Sequence, residues 1–314
     1  MPPRPPRIVV VGSANTDLVM RVRYLPRPGE TVLGGTFASV LGGKGANQAV
    51  AAARAGAHTT FVAKVGTDAM GDAAIAAYRA VGIDTTHVSR HESSPSGVAL
   101  IVVNEAGENA IAVASGANGM LLPADVDRAQ PEIAMADVLL LQFEVPLETV
   151  RHAIAVAQAA GVRVILNPAP ARPFDEALLS AVWLVTPNET EAAMLTGSSP
   201  AGFDVAAAAA HLIAHGPRAA VITLGGRGAF VRDSGTALHV PAYPVHPVDT
   251  VAAGDVFNGC LAVAVAEGRD LADAVRFATA GAALSVTRRG AQDSAPGRPE
   301  IDALVASGPP APPR

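Results

Sequence analysis

The chain has 314 residues, 50% of them hydrophobic and 16% charged, with a formal net charge of −5. That apolar content supports a sizeable buried core and excludes an intrinsically disordered chain. There is no basic stripe for nucleic acid and no apolar run of the roughly 20 residues that a bilayer span needs.

One cysteine, Cys260, permits no internal disulfide and suggests no zinc cluster, so a reducing, cytoplasmic setting is expected. The Pro-rich ends, residues 1–6 and 307–314, read as frayed tails around a single domain over residues 7–306.

Short β-branched runs alternate with Ala-rich helical stretches. Ile8 to Val11 reads as a strand, followed by a helix over Ala46 to Ala55 that ends at Gly56. A strand over Thr59 to Val65 precedes a helix over Asp72 to Val81. The pattern continues with strand Val138 to Leu141, helix Leu147 to Ala160, strand Val162 to Leu166 and strand Trp183 to Val185. Helices begin at Glu189 and cover Val205 to Ala214, and a strand covers Ala220 to Leu224. Two late helices cover Gly254 to Ala266 and Leu271 to Val286. Strands that are apolar throughout point to a mostly parallel sheet buried on both faces, an α/β layered fold.

Two regions break the rhythm. Leu18 to Val40 holds Pro26, Pro28 and Gly29, with β-type runs at Glu30 to Val32 and Thr36 to Ala38. Gly97 to Val103 and Ala110 to Ala114 read as a hairpin. Segments 18–40 and 97–114 thus suggest a small extra sheet, covering a cleft or meeting a partner subunit.

In open parallel sheets, ligands gather beyond the carboxyl ends of the strands. Asn15 and Asp17 follow the first strand, as a turn or as a pair that holds a polyol through neighbouring hydroxyls. Gly42-Gly43-Lys44-Gly45-Ala46-Asn47-Gln48 opens a helix, with glycines that permit close backbone approach and no P-loop pattern. Glu144 follows another strand and is a loop charge or a hydroxyl acceptor. Thr186 to Glu191 opens a further helix, where Asn188 and Glu191 serve the helix dipole or organise hydrated Mg2+ near phosphates. Thr223 to Gly228 is a Gly-rich turn. Asp249 to Gly259 is the sharpest segment. Ala252-Ala253-Gly254 precedes a helix, whose start is a ready anion site, and Asp255 lies beside it as a helix cap or a proton acceptor.

In their order and spacing these segments resemble the ribokinase-like (PfkB-type) sugar kinase family, from about Arg7 to Leu304. Gly42 to Gln48 matches the N-terminal signature and Asp249 to Gly259 the C-terminal one. Asn167 to Arg172 and Thr287 to Gln292 are also similar to family segments.

The resemblance implies a three-layer fold with a small β lid, and ATP-dependent phosphorylation of D-ribose at its 5-hydroxyl. It implies that Asp255 is the general base and that Ala252, Ala253 and Gly254 form a backbone anion hole. Asn15, Asp17, Gly43, Lys44, Asn47 and Glu144 would hold the sugar. Asn188, Thr223, Gly225, Gly226, Gly228, Gly254 and Thr279 would belong to the nucleotide site, with Glu191 acting on Mg2+ through water. Asp249, Val251, Ser285, Arg288, Gly290 and Ser294 would surround an activating K+, mostly through carbonyls. The lid would pair two subunits into a homodimer. Ile101 and Ile111 would roof the sugar or simply pack within the hairpin. Thr279 and Val256 depart from residues common in the family, and Cys260 reads as a small core residue. A kinase of 2-deoxyribose or another furanose, or a non-catalytic sugar sensor, is the alternative.

Overall fold

The computed structural model describes residues 4–198 and 202–308. β1 (Arg7–Val11) opens the main sheet, and β2 (Asn15–Arg21) and β3 (Thr36–Gly42) leave it at once for a second sheet. The chain returns through α1 (Lys44–Arg54), β4 (His58–Gly66), α2 (Ala69–Ala80) and β5 (Val88–His91). It then completes the second sheet with β6 (Gly97–Val103) and β7 (Asn109–Ala114). Next come α3 (Pro123–Arg128), α4 (Gln130–Ala134), β8 (Val138–Leu141), α5 (Leu147–Ala159), β9 (Arg163–Leu166) and β10 (Leu184–Val185). α6 (Glu189–Leu195), α7 (Val205–Ala214) and β11 (Ala219–Thr223) lead to an edge pair, β12 (Ala229–Arg232) and β13 (Ala237–Val240). α8 (Ala253–Ala266), α9 (Leu271–Ser285) and α10 (Arg298–Ala306) end the fold.

The main sheet runs β13-β12-β11-β10-β9-β8-β1-β4-β5, parallel except for the two antiparallel pairings of β12. β1 shows why the central strands carry unbroken apolar runs: after Arg7 at its exposed start, residues 8–11 are all apolar and buried. Ile8 and Val10 enter the core shared with α1, α8 and α9, whereas Val9 and Val11 enter the core shared with α5 and α7. Helices therefore cover both faces, in three layers. The strands and helices expected from the alternating pattern form, with ends shifted by no more than one helical turn.

The second sheet runs β3-β2-β6-β7. It corrects two expectations. Asn15 and Asp17 are not in a loop past a strand: they begin β2, which pairs with β6 from Asn15↔Gly97 onward. Glu30 to Val32 forms no strand. Gly34 and Gly35 have φ of 90° and 102°, which breaks extension, and Glu30 folds back to accept the Arg27 N–H at 3.0 Å. Cross-strand register sets Asp17, Ala99, Ile101, Ile111 and Val113 on one face, and Leu18, Leu100, Met20 and Phe37 on the other. Ile111, Val113, Leu100 and Phe37 are all more than half exposed, so apolar surface is left bare on both faces.

The N-terminal tail is in part tied down. Arg4 pairs with Asp137, and the Pro6 carbonyl accepts from His58 N at 2.8 Å. At the other end Ser307 N and Gly308 N bond carbonyls of α10 at 3.2 Å, and residues 1–3 and 309–314 of the expected tails lie outside the described residues. Among the described residues no helix is long and apolar enough to cross a membrane.

Candidate active site

From β1 the sheet is built outward to β4 and β5 on one side, and the chain then returns to place β8 on the other side, so the strand order reverses between β1 and β8 and opens a crevice beyond their carboxyl ends. Ser13, after β1, donates to Glu144 Oε2 at 2.5 Å, and the first N–H of α1, from Lys44, reaches the same oxygen at 2.9 Å. Glu144 is therefore no free loop charge: it sits on the positive end of α1. Gly43 starts that helix at φ 88°, and a Cβ on Gly42 would collide with the Asp17 carboxylate. These glycines let the backbone close around the two acids. Asn15 and Asp17, two residues apart on β2, point the same way. The Asn15 Oδ1 accepts from Asn118 Nδ2 at 2.6 Å.

Asp255 stands in the first turn of α8 and is buried. Each of its carboxylate oxygens accepts one amide from α1, Asn47 Nδ2 on Oδ2 and Gln48 Nε2 on Oδ1, both at 3.0 Å. Gln48 in turn accepts from Gln142 at 2.5 Å and also donates to Asn167 Oδ1 at 3.0 Å. Asn167 donates to the Thr186 carbonyl, Thr186 to Asn258, and Asn258 to the Gly254 carbonyl. One buried hydrogen-bond network thus ties the acid to the loop in front of it. Gly259 makes this possible. A Cβ there would lie 2.6 Å from both the Ala51 Cβ and the Gln48 carbonyl oxygen, so only glycine lets α8 approach α1 this closely.

The loop itself is strained. Ala252, the residue before α8, has φ 58°, the one positive φ outside glycine among the described residues. A left-handed alanine costs about 1–2 kcal/mol, and such strain collects where geometry serves a site. The space at Gly254 is open, with nothing within 4 Å of a built Cβ. Ala252→Gly should leave turnover and melting temperature nearly unchanged, because relief of strain and added chain freedom offset each other. Ala252→Val should lower both, since a β-branched residue resists this conformation.

A cleft of about 200 Å3 runs from Lys44 and Asp255 past Ala252–Gly254 to Asn188, Glu191 and Thr223. Asn188 caps α6 by accepting Glu191 N at 2.8 Å, and Glu191 Oε2 accepts Asn188 N at 2.8 Å. The capping role and a place in the cleft therefore coexist. Gly225, Gly226 and Gly228 form the turn after β11 and do not line the cleft. Nor does Thr279, which is buried on α9 with its hydroxyl unpartnered.

Behind the strained loop, Asp249 accepts from Val251 N and from Gly290 N, each at 3.1 Å, which joins the 249–251 and 285–294 segments. Ser285 O accepts Arg288 N, and the buried Ser294 hydroxyl donates to Ala291 O at 2.7 Å. The Arg288 guanidinium pairs outward with Glu300, so only its backbone faces inward. An oxygen-rich set of this kind suits a hard cation. Cys260 is buried against Gly281, and burial pushes its thiol up to about 12, an unreactive core residue.

The acids shape one another. Burial first, then the charges of Glu144 and Asp255, push Asp17 up to about 6. Asp255 foremost raises the Lys44 ammonium against the opposing effect of burial, with help from Glu144 and Glu191. Burial also raises Glu191, opposed by the Asn188 N–H and Lys44. The Lys44 ammonium thus feels the charges of Asp255, Glu144 and Glu191 together.

An acid at a helix start, a strained N–H loop before it and a lysine among carboxylates form an arrangement suited to phosphoryl transfer. The profile of the pfkB family carbohydrate kinases matches residues 5–298. The chain belongs to this family. This pfkB family kinase is 44% identical to a ribokinase of Haemophilus influenzae over 93% of its own length and 96% of the relative's. It is 40% identical to a deoxyribokinase of Salmonella typhi, over 92% and 95% of the two chains. A solved structure of Arabidopsis thaliana ribokinase complexed with ribose and ATP superposes with a TM-score of 0.89 at 32% identity, covering 96% and 99% of the two chains.

Sequence reading did not name Asn118 or Gln142, and it gave no role to Gln48, Asn167 and Asn258, although these lie in the segments it singled out for their resemblance. Gln48 had the further signal of its place directly after Asn47 in the glycine-rich segment. Adjacent helical residues point about 100° apart, however, and only the approach of α8 brings both amides onto one carboxylate.

Proposed function

We propose that this protein phosphorylates D-ribose at the 5-hydroxyl with ATP, giving D-ribose 5-phosphate and ADP. The observation that carries the reading is Asp255, with both oxygens oriented by amides of the sugar-side helix and its backbone neighbours turned by the strained Ala252.

In the proposed step, Asp255 takes the proton of the 5-hydroxyl as that oxygen bonds to the γ-phosphorus. The bond from the γ-phosphorus to the bridging oxygen breaks, and ADP leaves. The N–H groups of Ala252, Ala253 and Gly254 steady the charge on the transferred group. Asn15, Asp17, Gly43, Lys44, Asn47 and Glu144 orient the sugar. Asn188 and Thr223 serve the nucleotide in the cleft, and Gly225, Gly226, Gly228 and Thr279, which do not line that cleft, would contribute only to a part of the nucleotide that extends beyond it.

The residues fit the expected ions. Glu191 would hold Mg2+ through water, one carboxylate being the sparse ligation that ion accepts, and the ion would offset phosphate charge. Asp249, Val251, Ser285, Arg288, Gly290 and Ser294 would hold K+, which would support the shape of the strained loop.

We assign the second sheet as the lid. The face bearing Asp17 also bears Ile101 and Ile111, which would roof the sugar and exclude water. The opposite apolar face, with Leu100 and Phe37, fits the lid of a second copy, giving a homodimer. The cytoplasm is the proposed compartment.

An ADP-release assay with Mg-ATP and K+ tests the substrate. D-ribose should be turned over in preference to 2-deoxyribose, fructose and adenosine. The deoxyribokinase relative favours a second reading, to which faster turnover of 2-deoxyribose would move the assignment. Sugar binding without ADP release would instead mean a sensor. The same assay reads Asp17. Because kcat/KM reports the free enzyme, it should fall as pH drops through about 6, where Asp17 gains a proton and one of its acceptor sites is lost. Asp17→Asn should be weak throughout and lack that limb, and an unchanged limb would contradict the role.

A further inference from the structure

The 3-10 turn at Glu176–Ala181 and the last turn of α7 lie just ahead of β10 and β11, at the end of the sheet opposite the cleft. Three metal-ligating side chains meet there. One donor atom from each of Glu176, His211 and His215 lies within 4.8 Å of the other two. His211 and His215 are four residues apart, so they share one side of the helix, with ring centroids 4.4 Å apart.

The proton positions are informative. His215 Nδ1 lies 2.8 Å from the His211 carbonyl oxygen, which can only accept, so Nδ1 carries the proton. Nε2 is then the ring atom left to ligate, and it faces Glu176 Oε2 at 3.0 Å, so the two donor atoms converge on one point. An Nδ1–H bonded to a carbonyl is also the support that orients a ligating imidazole.

The donors are held together in advance. Gly216, at φ 118°, packs so tightly that a Cβ would lie 2.5 Å from the Ser180 Cα. The turn after α7 therefore rests on the turn that carries Glu176. All three side chains remain accessible to solvent.

We propose that Glu176, His211 and His215 form a site for a borderline divalent metal of the Zn2+ class, separate from the ion sites of the kinase reaction. Two imidazoles and one carboxylate, with water as a fourth ligand, suit Zn2+ and serve oxygen-seeking Mg2+ poorly. The metal would staple α7 to the turn that feeds β10.

Calorimetric titration of the full chain with Zn2+, in excess Mg2+ and K+, tests this. One Zn2+ should bind per chain, and His211→Ala or His215→Ala should weaken it at least about 10–100-fold. Co2+ should give the visible bands of a tetrahedral complex in the wild type and not in the double variant. The metal-free His211→Ala variant should melt like the wild type, since that side chain is exposed, which separates ligand loss from misfolding. Unchanged Zn2+ affinity in the double variant, or no saturable binding in the wild type, would overturn the proposal.

Discussion

Replacing Asp255 with Asn lowers kcat by roughly 10²–10⁴-fold, the usual contribution of a positioned proton acceptor. The substitution keeps the size of the side chain, so the packing of α8 should survive. It removes the proton-accepting charge. It also turns one carboxylate oxygen into an amide N–H₂ that faces the N–H donor of Asn47 or Gln48. Sugar affinity should change far less than turnover, because Asn15, Asp17 and Glu144 sit on other elements. Steady-state ADP release gives kcat, and calorimetry with D-ribose gives the affinity. Full activity in a folded Asp255→Asn protein would end the assignment of this residue as the base.

The second large effect is expected at a residue that touches no substrate. Gly259→Val drives a branched side chain into Ala51 and the Gln48 carbonyl, where even a single Cβ would lie 2.6 Å from each. Overpacking of this kind costs about 1–3 kcal/mol, which should lower the melting temperature by several degrees. The functional loss should exceed the loss of stability. α8 carries Asp255 and α1 carries both amides that orient it, so parting the helices by about 1 Å misplaces the acid and can cost on the order of 10²-fold in turnover. Gly259→Ala should show a smaller version of both effects. Differential scanning calorimetry beside kcat, measured well below the melting temperature, separates the two. A large fall in melting temperature with normal kcat would contradict the coupling of helix approach to acid placement.

Much of this architecture is legible in the residues themselves. β8 and residues 8–11 of β1 are apolar throughout because both of their faces are buried, and that pattern needs no partner to be read. Gly42 to Gln48 and Asp249 to Gly259 mark helix starts by composition alone. What escapes is set by contacts distant in sequence. Asn15 and Asp17 look like loop residues, since polar side chains open the segment, and they become strand by pairing with β3 on one side and, more than 80 residues later, with β6 on the other. Glu144 reads as a solvated charge until β1 and β8 lie side by side and Ser13 meets it. A left-handed Ala252 runs against the habit of alanine, so its strain is visible only in the folded loop. Gln48 becomes an orienting group only through the missing side chain of Gly259, a residue that alone reads as a weak point in a helix.

The most direct measurement is a crystal structure of the protein with D-ribose and a non-hydrolysable ATP analogue. The account predicts the ribose 5-hydroxyl within about 3.2 Å of an Asp255 oxygen, a distance that permits proton transfer. The γ-phosphate oxygens should face the N–H groups of Ala252, Ala253 and Gly254. A ribose whose 5-hydroxyl points away from Asp255, or a γ-phosphate held elsewhere in the cleft, would contradict it.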